Sequence, residues 1–126
     1  MIVLDTVTLI YWTVRPERLS AVAAREIESA ERLTISSISI WELAVKSRKG
    51  HIDLTIPLKE YLGGLEQISK LQIRSVDAAT WLRSAELDWS HHDPVDRVIV
   101  ATAMLLDCPL ITPDRVIGDY YAATFW

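Results

Sequence analysis

The chemistry open to this chain lies in carboxylates that stand at the ends of apolar segments. Asp5 closes the run Met1-Ile2-Val3-Leu4, and Asp114 follows Leu110-Ile111-Thr112-Pro113. Glu42 sits in Ser39-Ile40-Trp41-Glu42, and Asp93 and Asp96 bracket Pro94-Val95. Taken singly, each acid has a plain structural reading, because an acid at a helix start caps exposed N–H groups and contributes about 0.5–2 kcal/mol. Taken together they carry another. Two like charges about 4 Å apart repel by about 4 kcal/mol at an effective dielectric near 20. Acids that converge therefore require protons or a cation. Oxygen donors without an obligatory Cys or His suit Mg²⁺ or Mn²⁺.

The segments between these acids must decide whether they meet. Met1 to Thr6 is apolar and β-branched without polar alternation, the pattern of a strand buried on both faces. Thr8 to Val14 predicts a short helix, broken at Arg15-Pro16. Ser20 caps a helix to about Glu31, with Val22, Ala23, Ile27 and Ala30 on one face. Leu33 to Ser37 predicts a second buried strand. Ser39 to Glu42 has the S-x-x-E form of a capping box. It opens a helix that ends in Lys46, Arg48, Lys49 and Gly50, cations and then glycine. Further helices are expected over about Leu58–Ser69, from Asp77 to about Leu87, and from Pro94 to about Leu106. Gln72–Val76 and Pro109–Thr112 predict strands, and the tail from Ala122 to Trp126 predicts an edge strand.

Strands that alternate with helices imply a three-layer α/β/α domain with a mainly parallel central sheet. At 126 residues the chain is expected to be one domain, 1–126, large enough to bury a core. In right-handed crossovers the helices run antiparallel to the strands. A helix N-terminus then lies at the same edge as a strand C-terminus. All five acids consequently point toward one edge of the sheet, from four separate segments.

Composition narrows the function classes. Half of the residues are hydrophobic and 24% are charged, the balance of a globular protein. No apolar run approaches the roughly 18 residues that cross a bilayer. No basic region precedes the first apolar residues, so a secretory leader is not expected. The lone cysteine, Cys108, has an apolar context and reads as a buried, inert thiol. A cytoplasmic protein without membrane association is expected. The net charge of −4 argues against a surface coated for nucleic acid, yet leaves room for a local basic patch or an acidic site inverted by a metal.

Four stretches in order, Ile2-Val3-Leu4-Asp5-Thr6, Ser36-Ser37-Ile38-Ser39-Ile40-Trp41-Glu42, His92-Asp93-Pro94-Val95-Asp96-Arg97 and Leu110-Ile111-Thr112-Pro113-Asp114, resemble the PIN-domain family. The likeness is strongest to the VapC-type toxin ribonucleases of bacterial toxin–antitoxin pairs, and it runs from Met1 to Trp126. Ala44 to Leu54 is similar to the family's basic helix end and following turn. The resemblance implies that Asp5, Glu42, Asp96 and Asp114 hold divalent metal. It makes Asp93 a helix cap or a support behind the ligands. Thr6 and Thr112 match small hydroxyl positions that orient carboxylates or water. One departure is Val7, where relatives often carry His.

The implied reaction is hydrolysis of an RNA phosphodiester by a Mg²⁺-activated water, with 5′-phosphate products. The substrate would be a transfer RNA or a ribosomal RNA loop. Candidate RNA-holding groups are Lys46, Arg48, Lys49 and Arg97, with Arg115 behind them; each also reads as a solvated cation or a helix-end complement. Trp12, Trp41 and Trp81 read as core or dimer surface, and Trp89 as the better base-stacking candidate. His91 and His92 read as proton carriers or phosphate binders, or as a solvated loop. A homodimer and an inhibitory antitoxin are implied as partners. The residues Leu9, Tyr11, Trp12 and Leu43 read either as a groove for a partner helix or as core. Two other classes compete. A phosphatase with a nucleophilic Asp requires a second acid where Val7 stands. A catalytically silent PIN-like scaffold would only bind RNA or protein.

Overall fold

The computed structural model describes all 126 residues, Met1 to Trp126. In chain order the elements are β1 (Ile2–Leu4), α1 (Thr6–Val14), α2 (Ala21–Ser29), β2 (Leu33–Ser36), α3 (Ser37–Arg48), α4 (Leu58–Glu66), β3 (Leu71–Arg74), α5 (Ala78–Glu86), α6 (Pro94–Leu106), β4 (Leu110–Ile111), α7 (Arg115–Tyr120) and β5 (Thr124–Phe125). A 3-10 turn at Pro16–Arg18 joins α1 to α2. The five strands form one sheet in the order β3-β2-β1-β4-β5, and every pairing is parallel. This is the expected α/β architecture.

The central strand explains the layers. Ile2 and Leu4 point into one apolar cluster with Leu9, Ile27, Leu33, Ile35 and Leu43. Val3, between them, points into the other with Ile99, Val100, Leu110 and Ile117. A strand with apolar side chains on both faces is stable only between two helical layers. From β1 the chain moves out to β2 and β3, then returns across the sheet to β4 and β5. The order reverses between β1 and β4. Parallel sheets open a crevice at such a reversal, outside the carboxyl ends of the strands.

Several boundaries differ from the sequence expectation for local reasons. Ser36, not Ser39, caps α3, its Oγ accepting from the Ile38 N–H at 3.2 Å. The capping box is therefore absent: Ser39 is buried inside the helix, and Glu42 lies in its second turn rather than its first. β3 stops at Arg74 because the Val76 N–H turns away to donate to Ser37 Oγ at 3.2 Å. α4 ends at Glu66, where the Gln67 N–H tightens back onto Gly64. α7 is not foreseen in the sequence. Its signal is there, in Asp114 as cap and Val116, Ile117, Tyr120 and Tyr121 at helical spacing. The tail strand is present as β5, and Cys108 is buried as expected.

Candidate functional site

Asp5 lies one residue beyond β1 and is 4% exposed. One of its carboxylate oxygens caps α1, accepting from the Thr8 N–H at 2.7 Å. The other accepts from the hydroxyl of Thr112, which follows β4. Thr112 Oγ1 in turn accepts from the Asp114 N–H at 3.0 Å, so one hydroxyl links the two acids across the strand reversal. Thr6 and Ser39 share a hydrogen bond of 2.9 Å, which ties the start of α1 to α3. Thr8 Oγ1 donates to the Ile111 carbonyl at 2.9 Å. The ends of β1 and β4 are thereby locked.

Around this floor stand the other acids. Asp5, Glu42, Asp93, Asp96 and Asp114 line one cleft of about 170 Å³, together with Thr6, Val7 and Lys46. Asp93 caps α6 through the Val95 N–H at 2.9 Å, and Asp114 caps α7 through the Val116 N–H at 2.9 Å. Both structural readings of these acids thus hold alongside their convergence. Glu42 reaches the cleft from the second turn of α3 and pairs with Lys46 one turn on, at 3.4 Å. The most compact donor group is His91, Asp93 and Asp96, whose ligand atoms lie within 4.8 Å of one another. Asp96 belongs both to this group and to the four acids named from the sequence.

The electrostatics follow from burial and crowding. Burial pushes the Asp5 carboxyl up to about 6, against lowering by the Thr112 and Thr8 hydrogen bonds; the nearby Asp96 charge adds to the rise. Asp96 is raised too, first by burial and then by the charges of Asp93 and Asp114, while its bond to His91 opposes the shift. At 1.36 kcal/mol per pKa unit, ionising Asp5 in the metal-free fold costs about 3 kcal/mol relative to the unfolded chain. The cleft is an oxygen-rich anionic pocket that a hard divalent cation fits. Hollows of about 700 and 500 Å³ lie elsewhere, but apolar side chains line most of their walls.

The expected RNA-holding cations fall into different places. Lys46 lines the cleft, and Lys46, Lys49 and His51 line the hollow beside it. Arg48 and Arg115 are exposed and lie outside both. Arg97 has a different task. Its guanidinium donates to the carbonyls of Ser84, Leu87, Trp89 and His91 at 3.0, 2.8, 2.7 and 2.9 Å. It holds the α5–α6 loop and is not free for a phosphate.

Trp89 is likewise no open platform for a base. Its ring stacks on Tyr120 at 4.6 Å and 10°, and tilts against His91 at 4.8 Å. Trp12 packs against the first core cluster, whereas Trp41 is 59% and Trp81 49% exposed. Leu9 and Leu43 are fully buried and belong to the core, whereas Trp12 lines a hollow of about 320 Å³ against α4 with Tyr61 and Leu65. The residue the sequence undervalued is His91. Its Nε2 lies 2.7 Å from Asp96 Oδ2, and no motif marks it beyond its place ahead of an N-cap.

Comparison with known proteins bears on the lineage and the fold. The PIN-domain family model matches residues 2–122. Ribonuclease VapC22 of Mycobacterium tuberculosis (strain ATCC 25618 / H37Rv) is 36% identical over 116 residues, spanning 90% of this chain and 87% of that protein. Among solved structures, a toxin–antitoxin complex from Klebsiella pneumoniae aligns with a TM-score of 0.71 at 22% identity, over 100% of this chain and 97% of that one. Mycobacterium tuberculosis VapC20, described as a Sarcin-Ricin loop cleaving toxin, aligns with a TM-score of 0.69 at 16% identity, over the same shares. The two structures speak for the fold, and the family model and VapC22 for the lineage. The chain belongs to the PIN-domain family and, within it, to the VapC-type branch.

Proposed function

We propose that this protein is a metal-dependent endoribonuclease and the toxin of a type II toxin–antitoxin pair acting in the cytoplasm. The observation that carries the reading is the cleft itself: carboxylates from four distant segments line it around a buried Asp5. A structural cap needs no such company, and the raised Asp5 and Asp96 carboxyls mark the cluster as unfavourable when ionised and empty. Asp5, Glu42, Asp96 and Asp114 would hold Mg²⁺ or Mn²⁺, with Asp93 supporting from the rim. Bound there, the ion supplies the acidity that makes a water nucleophilic at neutral pH and the charge that admits a phosphodiester to an acidic cleft.

The chain's own groups do the rest. Thr112 fixes the Asp5 carboxylate by donating to it. Thr6, locked to Ser39, shapes the floor. Lys46 and Lys49 lead outward from the cleft and would draw in the RNA backbone, with Arg48 exposed between them at the same helix end. The likeness to VapC22, a ribonuclease, and to chains solved as toxin–antitoxin complexes supports an RNA substrate and an antitoxin partner; the RNA would be a transfer RNA or a ribosomal RNA loop. A homodimer is part of the proposal. Trp41 and Trp81, with Ile38, Val76 and Val95, line an open apolar hollow of about 500 Å³ that a second copy would cover.

The test is cleavage of total RNA with and without Mg²⁺ or Mn²⁺, beside Asp5→Asn, with the new ends mapped. Metal-dependent cuts absent from the variant are expected. Metal-independent cleavage, or a fully active variant, overturns the mechanism. RNA binding without turnover under every metal would favour a silent scaffold instead. For the toxin role, expression should arrest growth and Asp96→Asn should relieve the arrest.

A further inference from the structure

We propose that His91 is a positioning residue of the cleft, which sets the Asp96 carboxylate through a hydrogen bond and is itself set by Arg97 and an aromatic stack. This rests on the metal-dependent reading above. His91 Nε2 and Asp96 Oδ2 are 2.7 Å apart. An ionised carboxylate only accepts, so the ring nitrogen donates to Oδ2, and Oδ1 takes no part in that bond. Without that bond Asp96 is an ordinary side chain in the first turn of α6, free to change rotamer.

His91 is held from two directions. Its ring leans on Trp89, centroids 4.8 Å apart, and Trp89 stacks on Tyr120 at the end of α7. Its carbonyl and that of Trp89 accept from a single guanidinium nitrogen, Arg97 Nη1, at 2.9 and 2.7 Å. Arg97 is the neighbour of Asp96 on α6. The result is a closed circuit: α6 grips the loop through Arg97, and the loop grips α6 back through His91. Its output is one carboxylate fixed before any ion arrives. Groups that hydrogen-bond to ligating side chains typically contribute 10–100-fold in metal affinity.

The competing use of His91 is as a ligand, since its donor atom lies within 4.8 Å of those of Asp93 and Asp96. That would require Nε2 to leave Asp96. Two variants separate the roles. His91→Phe keeps the ring on Trp89 and removes the donor. His91→Gln removes the ring and returns an N–H at nearly the same reach. Mn²⁺ titration of the full chain, followed by paramagnetic resonance and paired with thermal unfolding, is the measurement.

We expect His91→Phe to weaken Mn²⁺ binding tenfold or more with an unfolding midpoint near that of the parent. His91→Gln should recover most of the loss, and His92→Ala should change nothing. Unchanged or tighter Mn²⁺ binding in His91→Phe overturns the proposal, as does an equal loss in both His91 variants. Nitrogen modulation of the bound Mn²⁺ spin echo that vanishes in His91→Phe overturns it in favour of ligation. Failure of the parent protein to bind Mn²⁺ would defeat the metal-dependent reading itself, an outcome distinct from these.

Discussion

The floor and the rim of the acidic cleft are built by different physics. On the floor, Asp5, Thr6 and Thr112 are all buried at the ends of β1 and β4. Each has its partner: Thr8 and Thr112 for Asp5, Ser39 for Thr6, Asp5 and the Asp114 N–H for Thr112. Their positions follow from the sheet. On the rim, Asp93 and Asp114 sit on helix starts, partly or largely exposed, and His91 sits on a loop. That loop is fastened by one guanidinium. The floor therefore couples charge to the stability of the whole fold, and the rim couples local order to the site.

Asp5→Asn breaks this contrast most strongly, because it should move two properties in opposite directions. Removing a carboxylate that would hold the metal should lower cleavage by about 10²–10³-fold. The same change should stabilise the metal-free protein by about 1–3 kcal/mol, since it deletes the cost of an ionised buried carboxyl. The pH dependence carries the sign. The folded carboxyl titrates near 6 rather than 3.8, so the fold holds its proton more tightly than the unfolded chain. Stability from this group is full below about 3.8, falls as pH rises to about 6, and is level above. Denaturant unfolding at pH 4 and pH 7 without divalent metal should show this fall in the parent and much less of it in Asp5→Asn. A fall between pH 4 and pH 7 that is the same in the parent and in Asp5→Asn would contradict the assignment.

Arg97→Ala should come next. It strands the carbonyls of Ser84, Leu87, Trp89 and His91, and should cost about 2–4 kcal/mol. Arg97→Lys should rescue little, because one ammonium cannot reach four carbonyls on a fork's geometry. Hydrogen exchange should rise in residues 87–92 while β1 and β2 stay protected, which would separate rim from floor directly. Equal loss of protection in both regions would erase the distinction.

Thr112→Val sharpens the floor. It removes a donor that holds the Asp5 carboxyl down and an acceptor for the Asp114 N–H. The loss should be about 1–2 kcal/mol. The stability decline should also shift to higher pH, because one opposing influence on Asp5 is gone. A shift to lower pH would show that the hydroxyl does not stabilise the charged form.

What could be read in the sequence divides along the same line. The floor was legible, since an unbroken apolar run ending in Asp5 allows few structures other than a central strand and its exposed end. Pro94 and Asp93 likewise marked the start of α6 to the residue. The start of α3 was misplaced because Ser36, Ser37 and Ser39 all have capping chemistry, and only the Thr6 hydroxyl across the fold claims Ser39. The rim was the least legible. Nothing local tells that Arg97 turns toward backbone carbonyls rather than phosphate, or that Trp89 is covered by Tyr120, because both facts depend on how α5 and α7 pack against α6.

The smallest expected effect concerns Asp93, which is both a helix cap and a lip of the cleft. Asn caps a helix about as well as Asp, so Asp93→Asn should leave stability within about 0.5 kcal/mol. Its charge is another matter. It lies close enough to raise the Asp96 carboxyl, and its oxygen belongs to the compact group with His91 and Asp96. An exposed charge at that separation is worth roughly 0.2–1 kcal/mol. Mn²⁺ affinity should therefore fall a few-fold while the thermal midpoint holds. Unchanged affinity would reduce Asp93 to a cap, and a loss as large as that of Asp96→Asn would move it among the ligands.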